Sequence, residues 1–425
     1  MRPISRSLRT LAFALLCLPG ASVAQSPAGL VTYVRASTEQ EIRMVDARGT
    51  NDRRVWAFEK PDPHKTIKIY DLAWRPDGKE LAFSSTHENH CSMNLSDVFV
   101  IRADGSGHRR VTQAPACADL ARYPKATVRV PVKNVGFESF TGFLYFQGAP
   151  SAQAVSLPAG GSTTVTVPNV AALTKGKDSG QVATLIAGLN RAYFIGTAVQ
   201  PQGGKQLTTN TLFISSLQPG LEPRSASWHP SGTYIAYAYG LASLRRVPAN
   251  PAPLDFGEFV VNAEDGPDIV LHAAYGPTPA LAGELLVQGW DFTGDGIYRV
   301  KAGAKRMGAP LVKITDGRSR IRGLAWLPDG SGFVYSAEEV VEYEVGRSNI
   351  FRYDFASRKS SRVTNLPNEY AGQLSVSPDG RMIAFDRSRG REIDGTTSVW
   401  RVTMDGSGLT LLANDAFAPA WKPGK

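Results

Sequence analysis

The sequence predicts an all-β protein: a six-bladed β-propeller, closed by pairing N- and C-terminal strands in one blade, with a small inserted β-sandwich. Three observations predict it. A unit of roughly 45–50 residues recurs, each copy holding short apolar runs separated by turn residues. The chain ends one strand into a new copy, at "APAWKPGK" (418–425), while its N-terminal piece lacks that same strand. Between the second and third units, residues 118–215 break the period.

In chain order, the first element is not part of the fold. Arg2, Arg6 and Arg9 precede a short apolar run (11–18) and a small-residue exit at Ser22-Val23-Ala24. That layout predicts a cleavable signal peptide over 1–24 and a periplasmic or secreted product. The run is shorter than the roughly 20 residues a membrane span needs, and no later run is longer, so no membrane span is expected. Removing 1–24 takes away three Arg and no acid, so the formal charge falls from +9 to +6. The remaining cations are scattered rather than striped, which argues against a nucleic-acid partner. Cys91 and Cys117 remain after cleavage, and an exported chain predicts a disulfide between them. The stretch "HENHC" (His87, His90, Cys91) is one residue short of HExxH and reads as a polar loop, not a metal site.

The clearest unit spans 69–115, "IYDLAWRPDGKELAFSS…SDVFVIRADGSGHRRVTQAP". It returns at 321–367 and 371–415, and its opening returns at 225–240. A first strand leads into Pro-Asp-Gly or Pro-Ser-Gly, where Pro fixes φ and Gly accepts the positive φ that closes the turn. An apolar second strand and a branched or aromatic third strand follow. The fourth, basic strand ("HRRVTQ", "SSRVTN") is read as a charged edge that resists pairing with other chains. Pro277 falls midway between the turn prolines Pro230 and Pro328, which places a disguised unit near residue 270. In the N-terminal piece, 30–35, 42–47 and 52–58 match second, third and fourth strands. The missing first strand is the one left over at the C-terminus. Blades then start near 69, 225, 270, 321 and 371. The predicted division is 25–117 and 216–425 for the propeller, with 118–215 between them.

Within 118–215, "TVRVPVKNV", "GFLYFQGA", "AVSLPAGGSTTVTVP", "VATLIAGL" and "YFIGTAV" alternate and are separated by Gly/Pro/Asn turns. They predict a small Ig-like or prealbumin-like sandwich. "QPQGGKQLTT" (200–209) reads as a linker.

The stretches "AWRPDGKELAFSS", "AWLPDG" and "SVSPDGRMIAF", with "ADGSG" and "MDGSG", resemble the WD40-like Pro-Asp (PD40) repeats of the TolB propeller family. The resemblance covers roughly 28–117 and 225–425. It implies a bacterial-type propeller. Because the family includes a protein of the Tol–Pal envelope system that works by binding other proteins, it also implies recognition at the cell envelope. Against that protein, no N-terminal α/β domain is expected here, and the insert is a departure.

Chemistry is sparse. Propellers of prolyl-oligopeptidase type accompany a hydrolase domain, but the ring is expected to close at the last residue, and neither G-x-S-x-G nor a P-loop occurs. "DFTGDG" (291–296) is similar to acidic calcium loops, with Asp291 and Asp295 as candidate ligands. Thr293 replaces the middle acid and no Glu follows, so a hairpin turn is the preferred reading. No cofactor is expected; calcium or another divalent cation is the one the sequence admits. The inner strands offer Asp71, His272, Arg322 and Gln373, at differing positions that do not predict convergence; His229 reads as a turn residue. The reading is a monomeric, non-catalytic protein that recognises an envelope or extracellular protein, peptide or glycan. The alternative is a metal-assisted, lactonase-like hydrolase using the central channel.

Overall fold

The computed structural model describes residues 29–424 except 37–39, 59–66, 89–90, 93, 174–179, 188–190, 194–198, 215–222, 240–242, 256, 263–266 and 394–395. The expected signal peptide lies outside the described residues. Regular structure is almost entirely strand.

Among the described residues, six four-stranded antiparallel sheets follow the repeat. The first orders Arg53–Ala57, Glu41–Asp46, Leu30–Arg35 and Ala416–Trp421. The second runs Ile69–Trp74, Glu80–Ser85, Asp97–Arg102, Arg109–Arg110. The third runs Arg224–Trp228, Tyr234–Tyr239, Ser243–Pro248, Glu258–Asn262. The fourth runs Ile269–Tyr275, Glu284–Asp291, Gly294–Lys301, Val312–Ile314. The fifth runs Ile321–Trp326, Gly332–Val341, Glu344–Asp354, Lys359–Arg362. The sixth runs Tyr370–Val376, Met382–Ser388, Ser398–Thr403, Thr410–Asn414.

The turn chemistry works as the residue types dictate. At 75–80 the Arg75 N–H donates to the Glu80 carbonyl at 2.8 Å, and Gly78 sits at φ +66°. A Cβ there would also lie 3.0 Å from the carbonyl of Pro423, two residues beyond the closing strand. Second strands are buried along nearly their whole length, as in Glu80–Ser85. Both their faces are covered by neighbouring sheets, which is why they read as continuous apolar runs rather than alternating ones.

The cores lie between sheets. Val34, Phe417, Phe83 and Phe99 join the first sheet to the second. Val98 and Tyr237 join the second to the third, and Leu244 and Leu285 the third to the fourth. Leu286 and Phe333 join the fourth to the fifth, and Ile350 and Phe385 the fifth to the sixth. Met382, Tyr33 and Trp421 then join the sixth back to the first. The innermost strands likewise pack in a closed cycle, the last, Ala416–Trp421, returning against Ile69–Trp74. The closing strand pairs antiparallel with Leu30–Arg35, from Val31↔Trp421 to Arg35↔Ala416. The Lys422 N–H donates to the Leu30 carbonyl at 2.8 Å.

Residues 125–214 form two further sheets. One orders Gln153–Leu157, Phe140–Phe146, Ala183–Ala187 and Arg191–Tyr193. The other pairs Ser162–Ala171 with Lys125–Asn134. They share a core of their own, including Val128, Val130, Phe140, Leu144, Phe146 and Leu185.

Two expectations need correction. The stretch read as a linker contains a strand, Gln206–Thr208, which pairs parallel with Lys125–Asn134, as does Leu212–Ile214. Its Gly and Gln residues hide a pairing set by the neighbouring strand. Arg110, read as part of a charged outer edge, is 2 % exposed. Its guanidinium lies 3.6 Å from Glu88 and 3.8 Å from Asp97. Lys359–Arg362 is exposed throughout, as a charged edge should be.

Candidate functional site

Each innermost strand slips register against its neighbour. The slips fall between Ile69 and Leu72, Arg224 and Ser227, Val270 and His272, Ile321 and Gly323, and Ala371 and Leu374. In the closing strand the slip lies between Phe417 and Ala420. A bulge leaves a residue out of the ladder and re-aims its side chain. Ser225 and Ala418, at φ +58° and +51°, are two such residues.

The bulges surround one cavity of about 260 Å³. Asp71, Ala226, Leu271, Arg322, Gln373 and Pro419 line it, one from each of the six innermost strands. His272 and Gln288 complete its polar wall. All four inner-strand residues singled out from sequence therefore converge. Position-counting missed this because each bulge resets the register of its own strand.

The acid and the imidazole are already engaged. The Asp71 carboxylate accepts from Ser84 Oγ at 3.0 Å and from the Ser225 and Ala226 N–H groups at 2.6 and 3.2 Å. Burial pushes its pKa up, against the pull of those donors. His272 Nδ1 meets Ser225 Oγ, and the ring also bonds the Leu324 backbone. Burial drives its pKa down to about 4, so the ring is neutral near pH 7. Behind the wall, Asp386 accepts from the Ala418 N–H at 3.1 Å, and burial pushes its pKa up to about 6. Gln373 Nε2 donates to the Tyr70 carbonyl at 3.2 Å, and Gln288 Nε2 to that of Ile321 at 2.6 Å. The first ties two innermost strands together, and the second ties the second strand of the fourth sheet to the innermost strand of the fifth, so the polar groups staple neighbouring parts of the ring.

Arg322 is different. One Nη donates to Glu338 Oε1 at 2.9 Å and the other to the Arg391 carbonyl, while its buried Nε has no hydrogen-bond partner among the described residues. Glu338, itself buried, also accepts from Arg391 Nε at 2.8 Å and from the Arg320 N–H at 3.0 Å. Sequence reasoning missed Glu338, Arg391, Gln288 and Ser225. None carries a motif; each matters only through a neighbouring strand.

Asp291 and Asp295 are not brought together. They flank a two-residue hairpin, opposite Gly294 and Trp290 respectively, and so face opposite sides of the sheet. Asp291 binds Lys313 Nζ at 2.7 Å, which holds its pKa down near 2 against the opposing effect of burial. Asp295 is buried and accepts the Ile321 N–H at 2.9 Å. His229 is a turn residue, 2.7 Å from Ser231 Oγ. Cys91 and Cys117 form a disulfide with a Cα–Cα distance of 5.9 Å.

Among solved structures, TolB from Acinetobacter baumannii superposes with a TM-score of 0.50 over 93 % of this chain and 67 % of that chain, at 13 % identity. The fold is a TolB-like β-propeller. No protein-family profile matches the chain. The Tol-Pal system protein TolB of Anaeromyxobacter dehalogenans (strain 2CP-C) is 33 % identical over 107 residues, 24 % of this chain and 22 % of that protein. An uncharacterised protein of Agrobacterium fabrum is 25 % identical over 198 residues, 46 % of this chain and 60 % of that protein. The chain thus spans about a fifth of the length of the TolB protein it matches.

Proposed function

We propose that this chain is an exported, periplasmic six-bladed propeller, with 1–24 a cleavable signal peptide and 125–214 an inserted β-sandwich. Its work is non-catalytic recognition of a protein partner at the bacterial cell envelope, through a peptide segment seated in the central cavity. One observation carries this reading: all six innermost strands give a residue to one polar cavity whose acid and imidazole are already spent on holding the ring together. Catalysis or metal ligation by Asp71 or His272 would require breaking those bonds. At about 260 Å³ the cavity falls just below the roughly 300–1,000 Å³ of small-molecule sites, and suits a side chain or chain end. The Arg322 guanidinium and the amide oxygen of Gln373, whose Nε2 is held by the Tyr70 carbonyl, supply polar recognition. The similarity to Tol-Pal proteins points to the same class of work.

The test is capture from an envelope extract by the immobilised full chain, by Arg322→Ala and Gln373→Ala, and by a chain lacking 118–215. A protein partner retained by the full chain and lost with Arg322→Ala is the expected result. Equal capture by all the channel variants would overturn the cavity as the binding site. Loss on enzymatic deglycosylation of the extract would make the ligand a glycan. A stoichiometric divalent ion released by Asp71→Asn would instead favour a metal-assisted hydrolase.

A further inference from the structure

A second polar cluster lies away from the cavity, between the first two sheets. His87 follows the strand Glu80–Ser85, and His108 precedes Arg109–Arg110. Their Nε2 atoms face each other at 3.1 Å. Glu88 joins them: one ligand atom from each of the three lies within 4.8 Å of the others. Aromatic rings wall the group. Trp56 stacks on His108 with centroids 5.5 Å apart and planes 6° from parallel, and Phe99 and Phe58 lie 4.1 and 5.3 Å from the His87 ring. His87 is buried, and the half-buried His108 is the side open to solvent.

We propose that His87, Glu88 and His108 form a site for a borderline divalent transition ion, with zinc as its natural occupant. The donor set is two imidazoles and a carboxylate, which suits zinc and copper over calcium or magnesium. Metal–nitrogen bonds of about 2.0–2.1 Å from one ion to both Nε2 atoms would subtend an angle of roughly 100°, near the tetrahedral value. The outer partners orient the ligands. Ser85 Oγ, 2.9 Å from His87 Nδ1, can accept its proton, which puts the lone pair on the Nε2 that now shares a hydrogen bond with His108 Nε2 and that an ion would take over. Glu88 Oε2 accepts the Cys117 N–H at 3.0 Å, so the disulfide loop positions the carboxylate. Arg110, 3.6 Å from Glu88, is a neighbouring cation that works against a second positive charge at the carboxylate. An ion there would pin the loop after residue 85 to the turn before residue 109, at the root of the disulfide and the 125–214 region. "HENHC" alone could not reveal this, because the second imidazole is His108, from the far side of the next strand pair; His90 lies outside the described residues.

Chelator-treated full chain is titrated with Zn²⁺ alone by calorimetry, and with Co²⁺ by visible absorption. One equivalent of Zn²⁺ should bind, and Co²⁺ should give the intense visible bands of a four-coordinate site. His108→Gln and Glu88→Gln should each weaken Zn²⁺ binding at least tenfold. His229→Gln, in a distant turn, should leave it unchanged. Circular dichroism checks that the variants fold, and the Co²⁺ spectrum of the unaltered chain decides independently of them. Absence of stoichiometric Zn²⁺ binding, or affinity untouched by His108→Gln, would overturn the site.

Discussion

The ring sheets and the 125–214 region are built from similar short strands, yet they are held together on opposite principles. Each ring core draws on two adjacent sheets, so no ring sheet owns a core. The core of 125–214 draws only on its own strands. Among the described residues its ties to the ring include the Gln147 Nε2 to Gln113 Oε1 bond at 2.9 Å, a small cluster of Leu95 with Tyr145, and packing around Cys91, Leu120 and Leu254. The contrast teaches that the ring should stand or fall as one unit, while the inserted region should fail alone.

The hardest test of that contrast is deletion. Removing 417–425 takes Phe417 and Trp421 from two inter-sheet cores and opens the ladder to Leu30–Arg35. The ring should lose its cooperative melting transition and aggregate through the exposed edge, seen by calorimetry and size exclusion. Replacing 125–214 with a short Gly/Ser linker should leave the ring transition within a few degrees. A truncated ring that melted normally would refute the collective view.

Point substitutions sharpen it. Leu144→Ala empties a fully buried position and should cost about 2–5 kcal/mol, confined to the transition of the 125–214 region. Asp71→Ala strands the buried Ser225 and Ala226 N–H groups and should cost about 2–4 kcal/mol in the ring transition alone. Separate transitions in denaturant would resolve the two; one shared shift would erase the distinction. Cys91→Ser should cost about 2–4 kcal/mol and speed proteolysis near residue 118, where the two regions join.

The smallest effect is on pH dependence. His272 falls from the ordinary 6.5 to about 4 on folding, so the unfolded chain takes up a proton first and stability drops as pH falls from 6.5 toward 4. Asp386 has the opposite sign. Its folded pKa of about 6 exceeds the ordinary 3.8, so its contribution is full below 3.8 and is lost as pH rises through 6. Asp386→Asn should therefore make the ring's Tm rise more steeply between pH 4 and 6 than in the unaltered chain. An unchanged slope would mean that Asp386 is not held protonated in the folded ring.

Much of the ring was legible because its signals are local. Pro-Asp-Gly turns need only their own residues, and strands such as Glu80–Ser85 and Gly332–Val341 announce themselves by apolar runs. Even the closing strand could be read, since "APAWKPGK" repeats the first strand of a unit missing from the N-terminus. The site was half legible. Asp71, His272, Arg322 and Gln373 were recognised as inner-strand residues, but their convergence was not, because bulges are settled by what packs on either side. Gln206–Thr208 escaped for a similar reason: a three-residue strand is specified by its partner, not by its own pattern.

What the sequence determined by itself is the period, the turns, the class of most ring strands and the pairing of the closing strand with the first, because these follow from local residue type and from repetition. What only the tertiary structure decided is which polar groups meet. The stapling of Asp71 to Ser225, the burial of Arg110 beside Glu88 and Asp97, and the opposition of His87 and His108 join residues on different strands, sheets or turns. Such pairings depend on register and on sheet-to-sheet distance, which no single stretch of chain encodes.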